Sequence, residues 1–215
     1  MKFDFLKPLF PIICVSCGKD SPKYLCSDCL KKIEQTLLPH HFFISNMGEM
    51  IYGYCRYAGS SGAIIRSLKY GRKIPAARII AEFLAPMVSL LFQPKPDWIV
   101  PVPISWQKQF HRGFNQCDLI AKELGNIAKI PVENKILFRR FSFFEKDQVK
   151  LNASERKQNL DHSFYALQKK AVVHHSTILL LDDVATTGKT MYACHKEIRK
   201  IYPDWKVLSL VFAHN

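Results

Sequence analysis

Residues 178–181, Ile-Leu-Leu-Leu, form an unbroken apolar run that ends in two acids, Asp182 and Asp183. A strand without polar alternation has to be covered on both faces, as in the centre of a parallel sheet. After the acids come Val184, Ala185, Thr186, Thr187, Gly188, Lys189 and Thr190. This is a small polar loop, and residues 189–201 continue from it with helical periodicity. A buried strand, a polar loop and an amphipathic helix make half of a βαβ unit.

The rest of the chain repeats that alternation. Residues 60–70 place Ile64, Ile65 and Leu68 at helical spacing. Pro75 opens a second helix carrying Ile79, Ile80, Phe83, Leu84, Met87 and Leu91, and Pro86 predicts a kink in it. Residues 98–102 predict a buried strand ending in a Pro-rich loop. Residues 115–129 predict a helix, 132–138 a strand and 206–212 a last strand. Residues 139–153 read as irregular and basic. The fold class is therefore α/β with a mostly parallel sheet. The division expected is 1–35 as a small cysteine-bearing module, 36–92 as a connector and helical region, and 93–215 as the main domain. At 215 residues, with 48% hydrophobic and 23% charged, the chain can bury a core of its own. No apolar stretch is long enough for a bilayer span and no cleavable leader is recognisable, which predicts a cytosolic protein.

Four of the seven cysteines fall in two knuckles, Cys14-x2-Cys17 and Cys26-x2-Cys29, eight residues apart. Four soft thiolates with that spacing suit a closed tetrahedral structural Zn²⁺ site. A redox pair would use one knuckle, and an iron–sulfur cluster is the other reading. Cys55, Cys117 and Cys194 stand alone, and an odd count argues against a disulfide framework.

The acid pair and its loop carry the chemistry. Ligands bind at the carboxyl ends of parallel strands. There the loop offers backbone N–H groups and hydroxyls to an anion at a helix N-terminus. The acids can hold vicinal hydroxyls, or help hold Mg²⁺ through water. A sugar phosphate fits both. Gly188-Lys189-Thr190 is not the end of a Walker A loop, because Asp183 stands where that motif needs glycine. A turn and cap would explain Thr186 and Gly188 but not two adjacent acids.

An apolar run, two acids and Thr-Thr-Gly-x-Thr closely resemble the type I phosphoribosyltransferase signature. The resemblance implies a phosphoribosyltransferase-like core that binds phosphoribosyl pyrophosphate (PRPP) with Mg²⁺. Asp182 and Asp183 would face the ribose, and Ala185, Thr186, Thr187, Gly188, Lys189 and Thr190 would hold the 5′-phosphate. A wider resemblance rests on Val100-Pro101-Val102-Pro103, then Arg112-Gly113-Phe114-Asn115-Gln116, then Gln148-x2-Leu151-x3-Glu155-Arg156-x2-Asn159, with Phe164 beyond. With the four-cysteine ribbon in front, this order is similar to the ComF competence family (ComFC-type). Glu145 departs from the family, which has Thr there. By this resemblance Val102 and Pro103 lie in a pyrophosphate loop, and Arg112 supplies charge beside it.

Thirty-one Lys and Arg against eighteen Asp and Glu give a net charge of +13, which favours polyanionic partners. Arg66, Lys69, Tyr70, Arg72 and Lys73 set an aromatic among cations, and Arg139, Arg140 and Phe143 do the same. Basic grooves with stacking rings bind single-stranded nucleic acid. The family resemblance implies a competence protein that binds PRPP and single-stranded DNA. It would assist the uptake of transforming DNA across the inner membrane, with the uptake machinery as partner. Two alternatives stand beside it: an active phosphoribosyltransferase acting on a base or amine, and a PRPP-sensing regulator. No general base or nucleobase pocket is evident, so whether the chain is an enzyme stays open.

Overall fold

The computed structural model describes residues 11–38, 41–141, 163–168 and 175–215. In chain order the elements are α1 (Ser27–Glu34), β1 (Phe42–Ile44), β2 (Met50–Arg56), α2 (Gly59–Lys69), α3 (Pro75–Leu91), β3 (Trp98–Pro101), α4 (Trp106–Arg112), α5 (Gln116–Ala128), β4 (Leu137–Arg139), β5 (Phe164–Ala166), β6 (Thr177–Ala185), α6 (Lys189–Ile201) and β7 (Lys206–His214).

A five-stranded sheet has the order β1-β2-β7-β6-β3. β2, β7, β6 and β3 are parallel and only the edge strand β1 runs antiparallel. β6 pairs with β7 from Thr177↔Lys206 to Ala185↔His214. Its apolar run splits by parity. Leu179 and Leu181 pack with α2, α3 and α5, while Ile178 and Leu180 pack with α6 and the small β4–β5 ribbon. All four side chains are fully buried, which is why the run shows no polar alternation.

The expected strands and helices are present, with shifts of a few residues at their ends. β4 is shorter than the expected 132–138 strand, and Val132 adds one parallel bridge to Ile99. α3 continues through Pro86, where a helix forgoes one backbone hydrogen bond. Segment 36–92 is more than a connector: β2 lies against β7 in the main sheet, and α3 packs along α5. The cysteine module joins the same core through Val15 and Ile33. Gln148, Leu151, Glu155, Arg156, Asn159 and the departing Glu145 lie outside the described residues.

Candidate sugar-phosphate site and cysteine cluster

β6 ends in the acid pair, and the chain turns at once into α6. Gly188 makes that turn, with φ +75° as the residue preceding α6. A side chain there would be strained, and its Cβ would collide with the Cβ of Ser45. The turn between β1 and β2 buttresses the loop from outside: the Asn46 N–H donates to the Thr187 carbonyl at 3.2 Å. The Asn215 N–H donates to the Ala185 carbonyl at 3.1 Å. Asp182 and residues 184–191 line a concave pocket of about 150 Å³. The loop carbonyls are thus engaged from behind, and α6 begins at the pocket.

Two acids side by side in a buried strand end would repel each other and any phosphate. The structure answers with Lys69 at the end of α2, whose Nζ lies 2.6 Å from Asp183 Oδ2, with the Asp183 side chain 3% exposed. Burial alone would draw the Lys69 ammonium down, but its attraction to Asp183 and Asp182 outweighs this and raises it. Asp182 is pushed up to about 7, by burial first and then by Asp183, against the Cys117 hydrogen bond and Lys69. Cys117 Sγ donates to Asp182 Oδ1 at 3.2 Å. Burial and the two carboxylates hold that thiol well above the ordinary cysteine range. Lys69 thus offsets the charge of Asp183 at the strand end, which lessens the repulsion that an anionic ligand would meet.

The Arg-Gly-Phe-Asn-Gln stretch ties a second loop to this point. The Val102 N–H donates to the Leu181 carbonyl at 2.9 Å, so Val102 and Pro103 lie beside the end of β6. Gly113, at φ +84°, ends α4. Asn115 then caps α5, accepting from the Cys117 N–H at 3.0 Å, while its amide donates to the Val102 carbonyl at 3.1 Å. Arg112 Nη1 donates to Gln116 Oε1 at 2.8 Å, and its guanidinium lies over the Tyr70 ring at 5.2 Å. Asp182, Asp183, residues 185–190, Val102 and Pro103 are brought to one end of the sheet, and Arg112 is held next to them through Gln116.

The basic residues assigned to DNA divide. Lys69 turns inward to Asp183 because a buried carboxylate attracts the nearest cation. Arg66, Tyr70, Arg72 and Lys73 stay at the surface. Arg139 lies over Phe164 and Arg140 over Tyr165. Phe143 lies outside the described residues. The sequence places Lys69 among the DNA-binding cations rather than at the acid pair, and gives Cys117 no role. Asn115 and Gln116 were read as motif without a role.

Cys14, Cys17, Cys26 and Cys29 present their sulfurs within 4.8 Å of one another. Cys17 and Cys26 Sγ are 3.8 Å apart, about the edge of a tetrahedron with ~2.3 Å metal–sulfur bonds. The Cys14 N–H donates to the Lys19 carbonyl, and Gly18, at φ +75°, makes the knuckle turn. Burial raises the Cys14 thiol, but backbone hydrogen bonds from Cys17, Cys26 and Ser16 bring it down to about 6. Cys26 goes the other way: a backbone hydrogen bond from Cys29 lowers it, but neighbouring sulfurs and burial push it up to about 11. The case therefore rests on geometry: four sulfurs this close, with one pair at tetrahedral spacing, fit a metal such as zinc. The acid pair fits Mg²⁺ only with ligand oxygens and water completing its shell, since Lys69 already counters Asp183 and the Cys117 sulfur is too soft.

The mostly parallel sheet thus has an inner strand, β6, that ends in an acid pair and a loop opening a helix. Similar solved structures are adenine phosphoribosyltransferases. One from Leishmania tarentolae is 14% identical, covers 68% of this chain and 60% of its own, and has a TM-score of 0.42. One from Thermoanaerobacter pseudethanolicus is 15% identical, covers 85% of each chain and has a TM-score of 0.41. Among curated proteins the chain has homologues of two names. Competence protein F of Haemophilus influenzae is 36% identical over 106 residues, 49% of this chain and 45% of that relative. DNA utilization protein YhgH of Salmonella typhi is 26% identical over 185 residues, 83% and 74% respectively. The chain thus spans less than half the length of the first relative. No protein-family model matches.

Proposed function

We propose that the chain is a DNA-handling protein of the ComF competence type that binds PRPP with Mg²⁺ and single-stranded DNA. In this role it takes part in the uptake of transforming DNA. The observation that carries the reading is the single strand end at which Asp182, Asp183 and the 185–190 loop meet Val102 and Pro103. The acids accept the ribose hydroxyls, the loop N–H groups hold the 5′-phosphate, and Arg112 meets the pyrophosphate. Asp182 and Asp183 would help hold Mg²⁺ through water, and the ion would supply positive charge to the anionic ligand. The cysteine cluster holds zinc and braces α1 against α2. The names of the relatives and the charge of +13 support the DNA role. Among the described residues no helix is long and apolar enough to cross a membrane. The protein would work in the cytoplasm and meet the incoming strand at the inner face of the inner membrane through the uptake machinery.

Anisotropy of a labelled single-stranded oligonucleotide, with and without Mg²⁺ and PRPP, tests the reading. Saturable binding that weakens steeply with salt is expected, because neutralised phosphates release counterions. Absent or salt-insensitive binding contradicts it. A pyrophosphate-release assay with a panel of bases and amines separates binding from turnover.

A further inference from the structure

Four aromatic side chains on one side of the molecule are left largely in water: Tyr70 at 69%, Trp106 at 45%, Phe110 at 84% and Phe141 at 57%. Large apolar side chains grouped at a surface mark a binding face more often than chance exposure does. They come from three segments that the fold draws together. Trp106 stacks on Phe141, with centroids 5.1 Å apart and planes at 17°. Trp106 and Phe110 lie 6.5 Å apart along one face of α4. Arg112 lies over Tyr70, and Arg72 donates to the His111 carbonyl at 3.3 Å. None of the three segments carries an acid: residues 56–81, 98–117 and 135–144 lack Asp and Glu altogether.

We propose that α4 is a base-stacking platform, on which Trp106 and Phe110 take successive unpaired bases while Arg72, Lys73 and Arg112 track the phosphates. The proposal rests on the DNA-binding reading above and deepens it. An apolar face alone would suit a second protein, but cations on its border and the missing acids match a polyanion that has flat apolar groups. Duplex DNA hides its π-faces, so the platform selects single strands. α4 follows directly on the Val102–Pro103 loop, and Arg112 belongs to both places. A bound strand and a bound pyrophosphate therefore compete for Arg112.

The test compares labelled oligo(dT), an abasic strand of equal length, and a duplex, using the zinc-loaded full chain. Wild type should bind oligo(dT) at least tenfold more tightly than the abasic strand, since two base stacks are worth about fivefold or more each. Trp106→Ala with Phe110→Ala should bind both strands alike at unchanged zinc content and thermal midpoint, while Trp106→Phe should keep most of the preference. Photocrosslinking of a bromodeoxyuridine strand to wild type should map to Trp106 or Phe110. Undiminished oligo(dT) binding by the double variant, or crosslinks confined elsewhere, overturns the platform and leaves the DNA-binding reading standing. If wild type binds neither strand, both fall. If the double variant loses only self-association, in sedimentation, the face is a contact between copies and the proposal is wrong.

Discussion

The ion pair of Lys69 and Asp183 shows how much of the site depends on single side chains. Asp183 is buried, so removing its partner leaves a charge that water cannot reach. Lys69→Met should cost about 3–5 kcal/mol of stability in urea denaturation. Adding Asp183→Asn should restore most of it, because the stranded charge is gone; no recovery would mean that the pair is not coupled. His195 offers a second check through pH. It is buried, with Nε2 3.0 Å from the Val207 carbonyl and Nδ1 3.5 Å from Glu49 Oε1. Burial outweighs both partners and lowers its pKa below 6.5. Between the two values the unfolded chain binds a proton that the folded chain refuses. Stability from this group is complete above about pH 6.5 and declines as pH falls below it, by at most about 1.4 kcal/mol per pH unit. His195→Gln should flatten melting temperature against pH from 5 to 7; an unchanged slope would refute the assignment. Neither contact was legible in the sequence. The acid pair announced itself by its place after an apolar run. Lys69, one of four cations between residues 66 and 73, looked no different from Arg72, and Cys117 reaches Asp182 across 65 positions.

At the scale of elements, the legible parts were those with long or doubly buried patterns. β6, α6 and β7 were evident because every turn or residue pair contributes to one of two cores. β1 and β5 have three residues each, too few to show a period, and β1 is largely exposed on the sheet edge. α4 was hidden because its seven residues include no buried side chain, and one i, i+4 aromatic pair, Trp106 and Phe110, is too little to show a helical period. The β6–α6 turn is the element on which the site depends. Gly188→Ala must fit a methyl against Ser45 and hold φ at +75°. A loss of about 2–4 kcal/mol is expected in denaturation, together with loss of PRPP binding in a filter assay. Wild-type stability in that variant would mean that the loop is not built as described.

Among the described residues, a five-stranded sheet carries the small β4–β5 ribbon and a metal-ready module packed onto its core. Val15 and Ile33 of the module share a core with Leu181 and Phe212 of the sheet, so stripping the metal should reach beyond the ribbon. A strong chelator should remove one equivalent of zinc and lower the thermal midpoint of the whole chain in a single transition, read by circular dichroism. An early melt confined to a small amplitude would show the module to be independent. The mixed class and the parallel sheet followed from the alternation of patterns. That residues 42–56 would supply two strands of the sheet did not, because their aromatic, half-polar sequence gave no clear period. Calorimetry can establish whether the end of β6 is a sugar-phosphate site. The zinc-loaded full chain is titrated with PRPP in Mg²⁺, beside the Asp182→Asn, Asp183→Asn double variant at matched zinc content and helicity. Saturable one-to-one binding by wild type and none by the variant is the predicted result. No binding by wild type, or equal binding by both, would mean that the acid pair does not hold PRPP.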